Sequence, residues 1–158
     1  ENIKTTDKIS INQEESINKF ICPALPIAET TKIIITPKTG NLSIFTEAIS
    51  TLIKNSERAD AISATENADI ILHIITKDEM ILKARIKPNS EKSRRLACLI
   101  INNVLDIIPD LKPTIFPSEE DTLNTASSAV ILEIGKGAMN DSSKLTLAIA
   151  DAFKEYPR

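Results

Sequence analysis

Three stretches of the chain are runs of apolar, mostly β-branched residues without polar alternation: Lys32-Ile33-Ile34-Ile35-Thr36, Ile70-Ile71-Leu72-His73-Ile74-Ile75 and Ala129-Val130-Ile131-Leu132-Glu133-Ile134. Such runs suit strands covered on both faces, as in a parallel sheet. Met80–Ile86 alternates instead, with Ile81, Lys83 and Arg85 against Leu82, Ala84 and Ile86. That pattern predicts a half-exposed strand, closed by Lys87-Pro88-Asn89. Thr114–Phe116 reads as a further short strand. Helical spacing falls between the strands. Leu42, Phe45, Ile49, Leu52 and Ile53 lie on one helical face, with Ser43 as cap, and Asn55-Ser56 ends that helix. A second helix is expected over Glu57–Asn67, using Ala59, Ile62, Ala64 and Ala68. The clearest covers Ser90–Ile108, capped by Ser90 or Ser93, with Leu96, Leu99, Ile100, Asn103 and Val104 inward. A last helix starts from Asp141 or Ser142 and runs to about Tyr156.

Buried strands alternating with amphipathic helices indicate an α/β domain with a mostly parallel central sheet flanked by helices. That domain spans 32–158. Residues 1–31 lack a sustained period, carry Pro23 and Pro26, and read as an arm or linker, with Ser10-Ile11-Asn12-Gln13 as one short strand candidate. There is no internal repeat. The first residue is Glu1 rather than Met, which points to a processed or trimmed chain and leaves room for an anchoring segment ahead of it.

Composition narrows the chemistry. At 158 residues the chain suits one domain with a real core. A net charge of -3 argues against broad phosphate-backbone binding, and 3% aromatics against stacking platforms for single strands, so nucleic acid is excluded as a partner. No apolar run reaches the ~18 residues of a membrane span. Cys22 and Cys98 are the only cysteines, too few for a disulfide scaffold or a zinc knuckle, and the pair alone leaves the redox compartment open. His73 is the only histidine, and the glycines at 40, 135 and 137 leave no room for a phosphate-cradling loop.

In open α/β sheets ligands gather at the carboxyl ends of the strands. The segment Pro37–Glu47, His73 and Glu133 all fall near such ends. An imidazole and carboxylates meeting there would make a hydrolytic zinc site, with a carboxylate as general base. Each residue also has a plainer reading. His73 sits among isoleucines and reads as a satisfied core residue. Glu133 interrupts an apolar run and needs a partner, a metal or an opening to water, because a buried unpaired carboxylate is costly. Glu47 is expected in the first turn of a helix, where the macrodipole favours it. Lys83-Arg85-Lys87, Arg94-Arg95 and Glu119-Glu120-Asp121 read as solvated faces.

The order of segments carries more than any one of them. Lys32 to Asn41 resembles the opening strand and glycine-rich turn of the zinc-dependent N-acetylmuramoyl-L-alanine amidases. Glu47 resembles the Glu ligand at the head of that family's first long helix. Glu57-Arg58-Ala59-Asp60-Ala61-Ile62 and Asn67 through His73 are similar to its next helix and strand. Ser128 through Gly135 resembles its last strand, and is closer still to the related sporulation stage II protein P amidases. The resemblance covers about Lys32 to Tyr156 and implies an amidase-like fold whose second-strand region, between Lys54 and Glu57, is shortened.

The resemblance implies roles residue by residue. Glu47 and His73 correspond to two zinc ligands, and Glu133 to the catalytic glutamate. The first ligand histidine falls at Thr39, beside Lys38 where the family has glycine. A hydroxyl is a poor zinc ligand and a neighbouring ammonium disfavours a cation. The implied function is a degenerate amidase-like domain with an incomplete zinc site. It would act outside the cytoplasm, at the bacterial cell envelope, by binding peptidoglycan or an envelope protein. Two alternatives stand beside it. One is an active amidase that binds zinc and cleaves the lactyl–L-alanine amide. The other is an unrelated α/β interaction domain without a cofactor.

Overall fold

The computed structural model describes residues 20–24, 31–37, 43–54, 59–61, 69–78, 81–120, 123 and 128–156. Their elements follow in the order β1 (Thr31–Pro37), α1 (Ser43–Lys54), β2 (Ala59–Ala61), β3 (Ile70–Lys77), β4 (Ile81–Ile86), α2 (Glu91–Ile107), β5 (Lys112–Pro117), β6 (Ser128–Gly135) and α3 (Ser142–Glu155). A 3-10 turn over Lys136–Asp141 leads from β6 into α3. Of the arm expected over 1–31, the described part is 20–24 and Thr31; the strand candidate at 10–13 lies outside the described residues.

The strands form one six-stranded sheet in the order β2-β1-β3-β6-β4-β5. Four pairings are parallel, and β4 joins β6 antiparallel, so β4 and β5 run against the other four strands. The three long apolar runs are the three central parallel strands β1, β3 and β6. Every residue of β6 is buried, as a strand covered on both faces requires. The alternation of Met80–Ile86 also holds: Leu82, Ala84 and Ile86 are buried while Ile81, Lys83 and Arg85 are half-buried.

One expectation fails. The helix over Glu57–Asn67 is not formed where it is described: Ala59–Ala61 is the edge strand β2, in register with Thr31–Ile33. Ala and Asp favour helix or turn on their own, but the open edge of β1 offers backbone partners that outweigh the preference. A three-residue second strand is therefore present at Ala59–Ala61, within the segment expected to be helical, while 55–58, where the shortening is expected, lie outside the described residues.

The three helices of the described residues cover one face of the sheet. Phe45, Ile49 and Ile53 from α1, Leu96, Ile100 and Val104 from α2, and Leu145, Ile149 and Phe153 from α3 pack in one cluster with Ile33, Leu72, Ile74, Leu82, Val130 and Leu132. α3 packs against both α1 and α2. The other face carries a small second cluster, Leu123, Ala129 and Ile131, against Ile75. Ser90 caps α2, its hydroxyl accepting from the Ser93 amide at 3.1 Å, and Asn89 before it adopts the left-handed conformation at φ 59°. Among the described residues no helix is long and apolar enough to cross a membrane.

The arm is fastened to this helical layer. Cys22 and Cys98 form a disulfide. Asn102 on α2 accepts from the Phe20 amide and donates to the Phe20 carbonyl, both at 2.8 Å. Arg95, also on α2, donates to the Pro23 carbonyl at 2.8 Å. The arm is thus held by three positions on one stripe of α2, Arg95, Cys98 and Asn102.

Tyr156, just after α3, is buried, and burial raises its phenol above the ordinary value of 10.0, with a nearby Ser128 hydroxyl and Arg95 opposing the shift. The unfolded chain releases this proton near pH 10 and the folded chain only above it. The contribution is therefore complete below about pH 10 and lost as pH rises through the folded value. Tyr156→Phe should keep stability in urea titrations at about pH 11 that the parent protein loses relative to pH 8. Parallel losses in both proteins would refute this.

Candidate functional site

The register of the central strands decides which candidates meet. His73 on β3 stands opposite Ile131 on β6, and Ile75 opposite Glu133. Side chains alternate across a sheet. His73, Ile75, Ile131 and Glu133 therefore share one face, while Leu72, Ile74, Leu132 and Ile134 enter the helix-covered core on the other. His73 and Glu133 are diagonal neighbours on adjacent strands. His73 is half-buried, and Glu133 is buried at 3% exposure.

On the other side of β6, Lys83 stands opposite Glu133 and Arg85 opposite Ile131. Arg85 is thus the diagonal neighbour of Glu133 from the antiparallel strand. Its Nη2 forms an ion pair with Glu133 Oε2, and its Nη1 donates to Glu120 Oε2. Glu120 follows β5, and the Ser118 hydroxyl donates to the same Glu120 oxygen at 3.3 Å. The contact at Glu133 is ionic proximity rather than an aligned hydrogen bond, since Oε2 has no partner in hydrogen-bonding geometry. One guanidinium therefore spans two carboxylates from separate segments. The bond to Glu120 and the charges of Glu133 and Glu120 raise Arg85 above its usual range despite partial burial, so it is a permanent cation.

Glu47 takes a different place. The expected first-turn position of Glu47 does not hold: α1 begins at Ser43, which puts Glu47 in the second turn and leaves no acidic residue in the first. Its side chain is exposed. The helix rests by Phe45, Ile49 and Ile53 on the sheet face opposite His73 and Glu133. Thr39 and Lys38 lie outside the described residues. The structure thus brings together His73 and Glu133 but not Glu47, and among the described residues no three His, Cys, Asp or Glu converge as a metal would need. A catalytic zinc takes about three protein ligands and an open position. The described residues do not fit that ion: of the two candidate ligands, His73 faces away from the layer that carries Glu47, and Glu133, the candidate catalytic glutamate, already has a guanidinium on its carboxylate.

No protein-family model and no curated protein matches this chain. Solved structures do. N-acetylmuramoyl-L-alanine amidase AmiC2 of Nostoc punctiforme aligns at a TM-score of 0.65 and 13% identity, over 82% of this chain and 98% of the other. The fold is that of the N-acetylmuramoyl-L-alanine amidases. The CwlD amidase from Clostridioides difficile, solved in complex with the GerS lipoprotein, aligns at 0.63 and 12% identity over 80% and 98%. An N-acetylmuramoyl-L-alanine amidase from Clostridium difficile 630 aligns at 0.60 and 10% identity over 82% and 97%. Identities this low carry the amidase-like architecture and not its chemistry. The sheet and its helices occupy nearly the full length of those amidase chains.

Against this amidase-like frame, the residue that composition overlooked is Arg85. With Lys83 and Lys87 it read as a solvated face; the structure makes it the partner of the buried glutamate. Half the signal was legible, since Glu133 required a partner, a metal or an opening to water. The other half, that β4 runs antiparallel beside β6, is a long-range pairing that no local pattern encodes.

Proposed function

We propose that this chain is a degenerate amidase-like domain with an incomplete zinc site, acting at the cell envelope by binding peptidoglycan or a protein partner. The observation that carries the reading is the Arg85 guanidinium on the Glu133 carboxylate, at the position that corresponds by resemblance to the catalytic glutamate. A carboxylate oxygen already engaged by a resident guanidinium is not free to take a proton from an attacking water. Thr39, in the place of the first ligand histidine, points the same way.

The fold supports the envelope assignment, as its solved counterparts are amidases named for a peptidoglycan bond. That CwlD is found with a lipoprotein supports a protein partner as one form of the role. The Cys22–Cys98 disulfide fits an oxidising compartment.

The test measures zinc and turnover together. The purified chain, equilibrated with zinc and then desalted, should hold far less than one equivalent, and it should release no new L-alanine amino groups from isolated peptidoglycan. It should still sediment with peptidoglycan or be retained by an envelope extract through a saturable site. One zinc per chain with amide cleavage would establish the active-amidase alternative instead, with Glu47, His73 and Glu133 as the residues to vary.

A further inference from the structure

The geometry points to a docking surface in the cleft between α2 and α3, shaped for a basic amphipathic helix of a partner protein. Both helices lie on the sheet face opposite His73 and Glu133, so this surface is separate from the candidate site and independent of the amidase-like reading.

The cleft follows from how the two helices meet. Arg95 bonds the carbonyls at the end of α3, whereas Asn103, two turns further along α2, donates to the Ala148 carbonyl at 3.0 Å. The helices therefore run antiparallel, and they leave between them a cleft of about 470 Å³. Its lining is apolar at Ile107 and Leu147 and acidic at Asp106, Asp151 and Glu155, against the one ammonium of Lys144. All four charged residues are exposed.

Leu147 is 52% exposed. Among the described residues one other large apolar side chain is left in water, Ile21 at 74%. The two stand at the same level of α2. Asn102 fixes the Phe20 backbone and its neighbour Asn103 fixes Ala148, so each exposed apolar residue is next in sequence to one held by this asparagine pair. Exposed apolar side chains gathered within a charged rim mark an interaction surface, where scattered ones do not.

Charge selects the occupant. A second copy of the chain would bring the same carboxylates against their like, and an anionic membrane or a nucleic acid would be repelled. A helix with lysines or arginines beside an apolar stripe satisfies both features. Its apolar residues at i, i+3 or i+4, and i+7 meet Leu147, Ile107 and Ile21, and its cations meet Asp106, Asp151 and Glu155.

The probe is a synthetic helical peptide of about 15 residues, leucines along one stripe and lysines on its flanks, titrated into isotopically labelled protein. It should bind saturably and shift resonances of α2 and α3 around the cleft. Leu147→Ser should weaken binding about tenfold and Ile21→Ser about threefold. Asp151→Asn with Glu155→Gln should weaken it about fivefold at low salt and flatten its dependence on ionic strength. These side chains are exposed, so each variant should melt with the parent protein. The same peptide with glutamates in place of lysines should not bind. Absent saturation, shifts confined to other elements, equal binding of the glutamate peptide, or variants that bind like the parent would each overturn the proposal. A concentration-dependent dimer abolished by Leu147→Ser would overturn it in favour of a second copy.

Discussion

Reduction of the Cys22–Cys98 disulfide, or Cys22→Ser, is expected to lower the unfolding midpoint by about 8–16 °C. The bridge closes a loop with a sequence separation of 76. Chain-entropy arguments for a loop of that size give roughly 4 kcal/mol of stabilisation, exerted through the unfolded state. A domain of this length changes its midpoint by ~2–4 °C per kcal/mol. The native contacts around the bridge are well placed to realise that gain. Cys98 is buried on the inner side of α2, and Phe20 and Cys22 pack against the main core from the arm. Asn102 pins the Phe20 backbone one turn further along. Cys22→Ser is the cleaner variant because Cys22 is half-buried, whereas a hydroxyl at position 98 would sit in the core. Reduced parent protein and Cys22→Ser should melt alike. Denaturation curves that coincide for oxidised and reduced protein would show that the arm contributes nothing to the folded domain.

The bridge also marks where sequence reasoning stops. Counting cysteines left their pairing open, because whether two thiols meet depends on how residues 20–24 return to α2 across most of the domain. The destination, however, was written in the helix. Arg95, Cys98 and Asn102 recur at i, i+3 and i+7, one stripe of the helix surface, and all three touch the arm. Their mixed chemistry hid the stripe from an apolar count. The strands were more legible. The runs at 32–36, 70–75 and 129–134 all lie in strands of the sheet, so local pattern sufficed. Ala59–Ala61 was not legible, since its strand state comes from the neighbouring edge rather than from its own residues. The candidate site divides the same way. That Glu133 would need a partner, a metal or an opening to water followed from one carboxylate in an apolar run. That Arg85 supplies it, and that Glu47 stands across the sheet, followed only from the order of strands and the face on which α1 lies.

Arg95 is the second place where a large loss is expected. It stands beside Arg94, and the doublet reads as a solvated face; in the folded chain Arg95 is 7% exposed while Arg94 reaches outward to Glu91. The buried guanidinium donates from Nε to the Tyr156 carbonyl at 2.9 Å, from Nη2 to the Glu155 carbonyl at 3.0 Å and from Nη1 to the Pro23 carbonyl at 2.8 Å. Two of these acceptors are terminal carbonyls of α3, which lack helical partners and carry the negative end of its dipole. The third belongs to the arm. Arg95→Ala removes all three donors and opens space beneath the end of α3, and is expected to cost about 3–4 kcal/mol, read as a lower urea midpoint with an unchanged slope. Arg95→Lys should recover only part of that, because one ammonium cannot place donors at three carbonyls in the guanidinium's fork. The two large effects should also be largely independent. Two of the three Arg95 bonds go to α3 rather than to the arm, so the Arg95→Ala penalty should survive in reduced protein, diminished by about the single bond to Pro23. If the penalty vanished on reduction, Arg95 would act only by holding the arm, and its place under the end of α3 would contribute nothing of its own.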